Sequence, residues 1–150
     1  MKKNLLMLVM LIMVGIGSAF ANTGKEINEK VAASFKNDFA SATDVKWEKT
    51  KQFVKVTFSQ NQQIMFAYYM EDGSLVAVTR NLTVGQLPLN LLTSYKKNYK
   101  DYWVSDLFEM VNGSDTDYYL SLENGDQTIV LKSNGTNGWE VFKKIKKDAL

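Results

Sequence analysis

The sequence predicts an α+β fold made of two tandem units. Each is a helix followed by four antiparallel strands, and together they form one sheet of about eight strands with both helices on one face. Three observations carry this prediction. Ser34-Phe35-Lys36-Asn37-Asp38-Phe39 is echoed sixty residues later by Ser94-Tyr95-Lys96-Lys97-Asn98-Tyr99. Around both stretches the apolar residues recur at every fourth position, Ile27, Val31, Phe35 and Phe39 matching Leu87, Leu91, Tyr95 and Tyr99, which places each set on one side of a helix. After each stretch the apolar period falls from four to two, and short polar turns separate the alternating runs.

The first 21 residues read as a signal peptide rather than as part of this fold. Lys2 and Lys3 form a basic start, Leu5 to Ile16 are almost wholly apolar, and Ala19-Phe20-Ala21 is a small-x-small cleavage pattern. The apolar run is shorter than the roughly 18–20 residues of a spanning helix, so cleavage after Ala21 is expected, with no membrane anchor afterwards. No cysteine follows it to take a lipid. Residues 22–150 are then one domain of two repeats, 22–83 and 84–150, exported to the periplasm or secreted. The whole chain has 18 basic and 16 acidic residues; Lys2 and Lys3 leave with the signal and no acid does, so the remainder is balanced at 16 of each. A nucleic-acid partner loses its compositional support. The exported part keeps seven Phe, seven Tyr and three Trp for a core and has no Cys, so packing must stabilise it without disulfides.

Taken in order, Thr23-Gly24-Lys25-Glu26 has the form of a capping box, and the first helix is expected from there to about Ala40. Val45 and Trp47 open the first strand, and Val54, Val56 and Phe58 alternate in the second. Ser59-Gln60-Asn61-Gln62 turns the chain, and Ile64, Phe66, Tyr68 and Met70 read as one side of the third strand. Asp72-Gly73 is a hairpin signal before a fourth strand ending near Leu82. In the second unit, Pro88 suits the first turn of a helix running to about Tyr99 or Lys100. Strands are expected over Trp103 to Val111, around Tyr118, Leu120 and Leu122, over Asp126 to Lys132 and over Trp139 to Lys143, with turns at Asn112-Gly113, Asn124-Gly125 and Asn134-Gly135.

The helix ending in Phe-x-x-x-Phe, the Val45-Lys46-Trp47 strand, the Tyr68-Tyr69-Met70-Glu71-Asp72-Gly73 hairpin and the Leu87-Pro88 start of a second helix resemble the PepSY-like, beta-lactamase-inhibitor-like family of exported proteins. The resemblance spans about residues 28 to 143. It implies tandem helix-plus-sheet units, an envelope or secreted site of action, and a role in binding or inhibiting other proteins. The inhibitor for which the family is named uses an acidic residue on a hairpin. The turn that corresponds to it here, Ser59 to Gln62, carries no acid, which argues against lactamase inhibition.

Chemistry-bearing residues are sparse. Without His or Cys, neither a Ser-His-Asp nor a Cys-His arrangement can be built, and there is no phosphate-cradling glycine loop. Asp115 and Asp117 are the closest acidic pair on a predicted loop, and Asn112 to Asp117 lacks the spacing of a calcium loop. No enzyme, cofactor or metal is therefore expected. Asn81, Asn112 and Asn134 open N-x-S/T triplets that read as turns, and Lys143-Lys144-Ile145-Lys146-Lys147 reads as a solvated last strand, with contact to an anionic surface as the alternative. The aromatic residues are the remaining signal. One member of each pair, Tyr68-Tyr69 and Tyr118-Tyr119, must face away from the helices, and Tyr69 and Tyr119, with Trp139, are the expected binding residues. The reading is a non-catalytic exported module holding a protein or peptide of the cell envelope on its open sheet face. The alternative is a structural or stress-related envelope protein without a discrete ligand.

Overall fold

The two related stretches form two helices of equal length. α1 spans Glu29–Asp38 and α2 spans Leu89–Asn98, each of 10 residues. They also end alike: the N–H of Phe39 donates to the Phe35 carbonyl at φ −133°, and that of Tyr99 to the Tyr95 carbonyl at φ −131°. This computed structural model describes Val9 and residues 27–147, so the expected cleavage motif and the Thr23 capping box lie outside the described residues. α1 starts later than its period implies. Asn28 is its N-cap, its side chain accepting the Lys30 N–H at 2.9 Å and satisfying one donor of the first turn. α2 follows Pro88, where a missing N–H removes no helical hydrogen bond. A short 3-10 turn, Val84–Gln86, precedes it, with the Gln86 amide oxygen accepting the Thr83 N–H at 2.8 Å, a feature without periodicity to reveal it.

Among the described residues eight strands follow the expected order: β1 Thr43–Lys49, β2 Val54–Gln60, β3 Gln63–Tyr69, β4 Leu75–Asn81, β5 Trp103–Asn112, β6 Asp115–Glu123, β7 Gln127–Ser133 and β8 Glu140–Lys146. They make one antiparallel sheet in which sheet order is chain order. The chain divides into two compact units between Val78 and Thr79.

In the first unit, Val31 and Phe35 of α1 pack on Val54, Val56 and Phe58 of β2 and on Ala67 and Tyr69 of β3. Phe35 is the hub, its ring centroid lying 5.1 Å from that of Phe58, 5.2 Å from Trp47 and 5.4 Å from Phe39. Such tilted and edge-on contacts add to the apolar area removed from water. β3 corrects the sequence reading. The register Val54↔Tyr69 and Val56↔Ala67 puts Met65, Ala67 and Tyr69 beneath α1, while Ile64 at the hairpin tip is 64% exposed. In the second unit the core is aliphatic: Leu87 and Leu91 meet Leu107, Leu120, Leu122, Ile129 and Leu131, with Tyr95, Tyr99, Tyr102, Tyr118 and Trp139 around them.

The glycine turns set how closely each helix approaches its strands. Gly73 has φ +89°, and a Cβ there would lie 2.9 Å from Ser34 Oγ and 3.1 Å from the Lys30 carbonyl oxygen. Gly135 has φ +83°, its Cβ would meet the Tyr118 ring at 3.1 Å, and its carbonyl accepts from Asn90 Nδ2 at 3.0 Å. Lys30 and Asn90 are again sixty residues apart. The β2–β3 turn is less well suited to its shape, since Asn61 and Gln62 both have positive φ, 51° and 63°, as the two central residues of a type I′ hairpin do.

Three stability outcomes are expected in urea denaturation. Phe35→Ala should cost about 3 kcal/mol through lost burial and the cavity left behind. Gly73→Ala should cost roughly 2 kcal/mol, because the new Cβ meets backbone and a positive φ together. Gln62→Gly should instead stabilise the fold by about 1 kcal/mol, since it relieves the left-handed conformation of a residue with a Cβ.

Candidate interaction surface

Period-two alternation divides each strand between the side under a helix and the side turned away from it. In the second unit the register pairs Leu107 with Leu120 and Leu120 with Leu131, the set that meets α2. The intervening residues therefore point the other way: Asp106, Phe108 and Met110 on β5, Asp117, Tyr119 and Ser121 on β6, Val130 and Lys132 on β7. Phe142, at the irregularity of β8 opposite Val130 and Leu131, joins them through its contact with Tyr119.

Aromatic stacking organises this side of the sheet, which is less open than the sequence reading expected: Phe108 and Met110 are buried like Tyr119 and Val130, and Asp106, Asp117, Lys132 and Phe142 are its partly exposed members. Phe108 and Tyr119 are cross-strand partners and lie nearly parallel, 17° apart with centroids at 5.0 Å. Phe142 meets Tyr119 edge-on at 5.6 Å, and Lys132 Nζ sits 5.6 Å from the Tyr119 ring centroid while pairing with Asp117 at 2.9 Å. Burial raises the Tyr119 hydroxyl above the usual tyrosine range, with Lys132 opposing the shift. Burial likewise raises the Asp106 carboxyl above its usual range, opposed by the Leu107 backbone hydrogen bond. Asp106 stands in register with Ser121, beside the aromatic group.

The three aromatic residues expected to form the contact surface are not exposed together. Tyr69 is 0% exposed beneath α1, where its hydroxyl donates to Asp38 Oδ2 at 2.8 Å; burial, then this carboxylate, raises its pKa. Tyr119 does point away from α2, yet it is only 2% exposed. Trp139 is half-buried against the second core, and its indole N–H donates to the Leu91 carbonyl at 3.0 Å, tying β8's approach to α2. The expectation of exposed Tyr69 and Tyr119 is thus corrected. In β3 the pairing with Val54 selects the opposite parity, and in β6 Tyr119 is buried together with its stacking partner Phe108. Phe108 and Phe142 were missed because neither belongs to a doubled aromatic pair; their signal was alternation with Leu107 and Val141.

The acidic pair behaves as structure. Asp115 and Asp117 lie in β6 rather than on a loop, and Asp117 is held by Lys132. Among the described residues no group of three or more His, Cys, Asp or Glu side chains could hold a metal ion. No described helix is long and apolar enough to cross a membrane.

No family model matches the chain, and no curated protein matches it. Its fold is nevertheless shared with solved structures. A DUF2874 family protein from Bacteroides ovatus superimposes with a TM-score of 0.71 at 14% identity, over 82% of this chain and 89% of that one. A BLIP-like protein from Bacteroides fragilis gives 0.70 at 15% identity, over 85% and 94% of the two chains. A protein provisionally described as periplasmic, from Bacteroides eggerthii, gives 0.69 at 12% identity, over 81% and 90%.

The raised Asp106 carboxyl has a definite pH consequence. The folded state holds this proton more tightly than the unfolded chain, so ionisation opposes folding. The penalty is absent below the unfolded pKa and complete above the folded one. Asp106→Asn is expected to raise the melting temperature at neutral pH, with the gain shrinking on acidification through the carboxylate range in a pH series of thermal melts.

Proposed function

We propose that the chain is a non-catalytic module, exported through residues 1–21 to the periplasm or beyond, that binds a protein on the side of the sheet facing away from α2. The observation that carries this reading is half-buried Phe142 with the partly exposed Asp117–Lys132 pair, both set against the buried Phe108–Tyr119 stack. Packed aromatics bordered by charge are what the centres of protein interfaces use, the rings supplying area at low entropic cost and the charges supplying orientation. The fold shared with a BLIP-like protein and with a provisionally periplasmic one supports the same reading. The absence of His and Cys from the sequence weighs against the commonest nucleophilic and proton-shuttling chemistries.

The equal bounds of α1 and α2 and the matched contacts of Lys30 and Asn90 with Gly73 and Gly135 support two copies of one helix-plus-strands plan, 22–83 and 84–150. Within that plan Tyr69 and Trp139 hold the scaffold, and buried Tyr119 backs the binding surface through its edge-on contact with Phe142.

The test is capture from an envelope fraction by the immobilised protein, compared with the double variant Phe142→Ala, Lys132→Glu. One discrete protein is expected to be retained by the parent and to fall at least about tenfold for the variant, the usual scale when an interfacial anchor and a charge are lost together. A variant that melts normally and still captures the same protein equally well would place the contact elsewhere. Retention of nothing by the parent would favour the structural envelope role.

A further inference from the structure

We propose that the outer edge of β8 is a strand-addition site for an extended acidic segment of another protein. β8 ends the strand order, so no strand lies beside its outer edge among the described residues. Its inner pairing is regular from Lys143 to Lys146, opposite Val130 to Gln127, and continues through the Lys147 N–H, which donates to the Asp126 carbonyl at 2.8 Å. In an antiparallel ladder the N–H and C=O of alternate residues point to the same edge. With Lys147 turned inward, Lys146 and Lys144 present their backbone groups outward, each supplying one donor and one acceptor.

The side chains at the same positions state what should come to meet them. Among the described residues Lys143, Lys144 and Lys146 have no acidic partner, whereas Lys147 is held by Glu123 at 3.0 Å. Val141 and Ile145 are 51% and 45% exposed on the same strand. Lys144 and Lys146 share one face of the strand and Ile145 lies between them on the other, so beside the open backbone groups they complement an extended segment in which acids alternate with apolar residues. They disfavour a second copy of β8, which would set lysine against lysine. The edge strand β1 is managed differently: Glu48 and Lys49 are engaged by Lys55 and Glu71, and the pairing with β2 is irregular between Thr43 and Lys46.

The experiment titrates the purified protein with a blocked, fluorescent peptide alternating Glu and Val. The controls are the same peptide N-methylated on its backbone and one with Lys in place of Glu, and amide exchange is followed at Lys144 and Lys146. Binding that weakens with salt and protects both amides is expected, with about tenfold loss for the N-methylated peptide and for Lys144→Glu with Lys146→Glu. The idea is overturned if the N-methylated or lysine peptide binds equally well, if neither amide is protected, if the acidic peptide does not bind, or if the edge instead pairs with a second copy. These outcomes are independent of the Phe142 and Lys132 variant, so this edge and the aromatic surface stand or fall separately.

Discussion

A helix of ten residues does not hold its shape alone in water, because the cost of its first turn is repaid over too few hydrogen bonds. α1 and α2 therefore exist only because the sheet takes one side of each out of solvent. Val31 and Leu91, sixty residues apart, are both 0% exposed at the centres of these contacts. Most other features serve that approach: Gly73 where a Cβ would hold α1 off, Asn28 and Pro88 where each helix starts, and an aromatic or aliphatic layer beneath.

The two cores meet the same requirement with different chemistry. Around Phe35 the space is filled by rings, and around Leu91 mainly by leucines. Polar tips carried inward by the large side chains are satisfied locally, Tyr69 by Asp38 and Trp139 by the Leu91 carbonyl. Among the described residues no buried side-chain nitrogen or oxygen lacks a partner. This matters in a chain with no cysteine, where an unsatisfied group would subtract a few kcal/mol from a stability that packing alone supplies.

Surface charge is arranged by position rather than by net amount. On the side of the second unit turned away from α2, Lys132 and Asp117 neutralise one another beside aromatic rings, whereas among the described residues Lys143, Lys144 and Lys146 of β8 stand without acids. Under the two proposals above, the first arrangement orients a contact and the second sets which partner an open strand edge tolerates. Similar composition thus gives two regions of different character within the second unit.

The sequence by itself determined the elements. Four-residue spacing at Val31, Phe35, Leu91 and Tyr95, alternation at Val54, Val56 and Phe58, and the turns at Gly73, Gly113 and Gly135 follow from steric rules that act over a few residues. It also made legible the scarcity of catalytic groups. It did not determine which member of an aromatic pair faces the helix, because alternation has only two answers and a shift of one residue exchanges them. The register Val54↔Tyr69 placed Tyr69 in the core, and the cross-strand partner Phe108 drew Tyr119 into a shielded stack. Those choices depend on residues distant in the chain that only the folded sheet brings opposite one another.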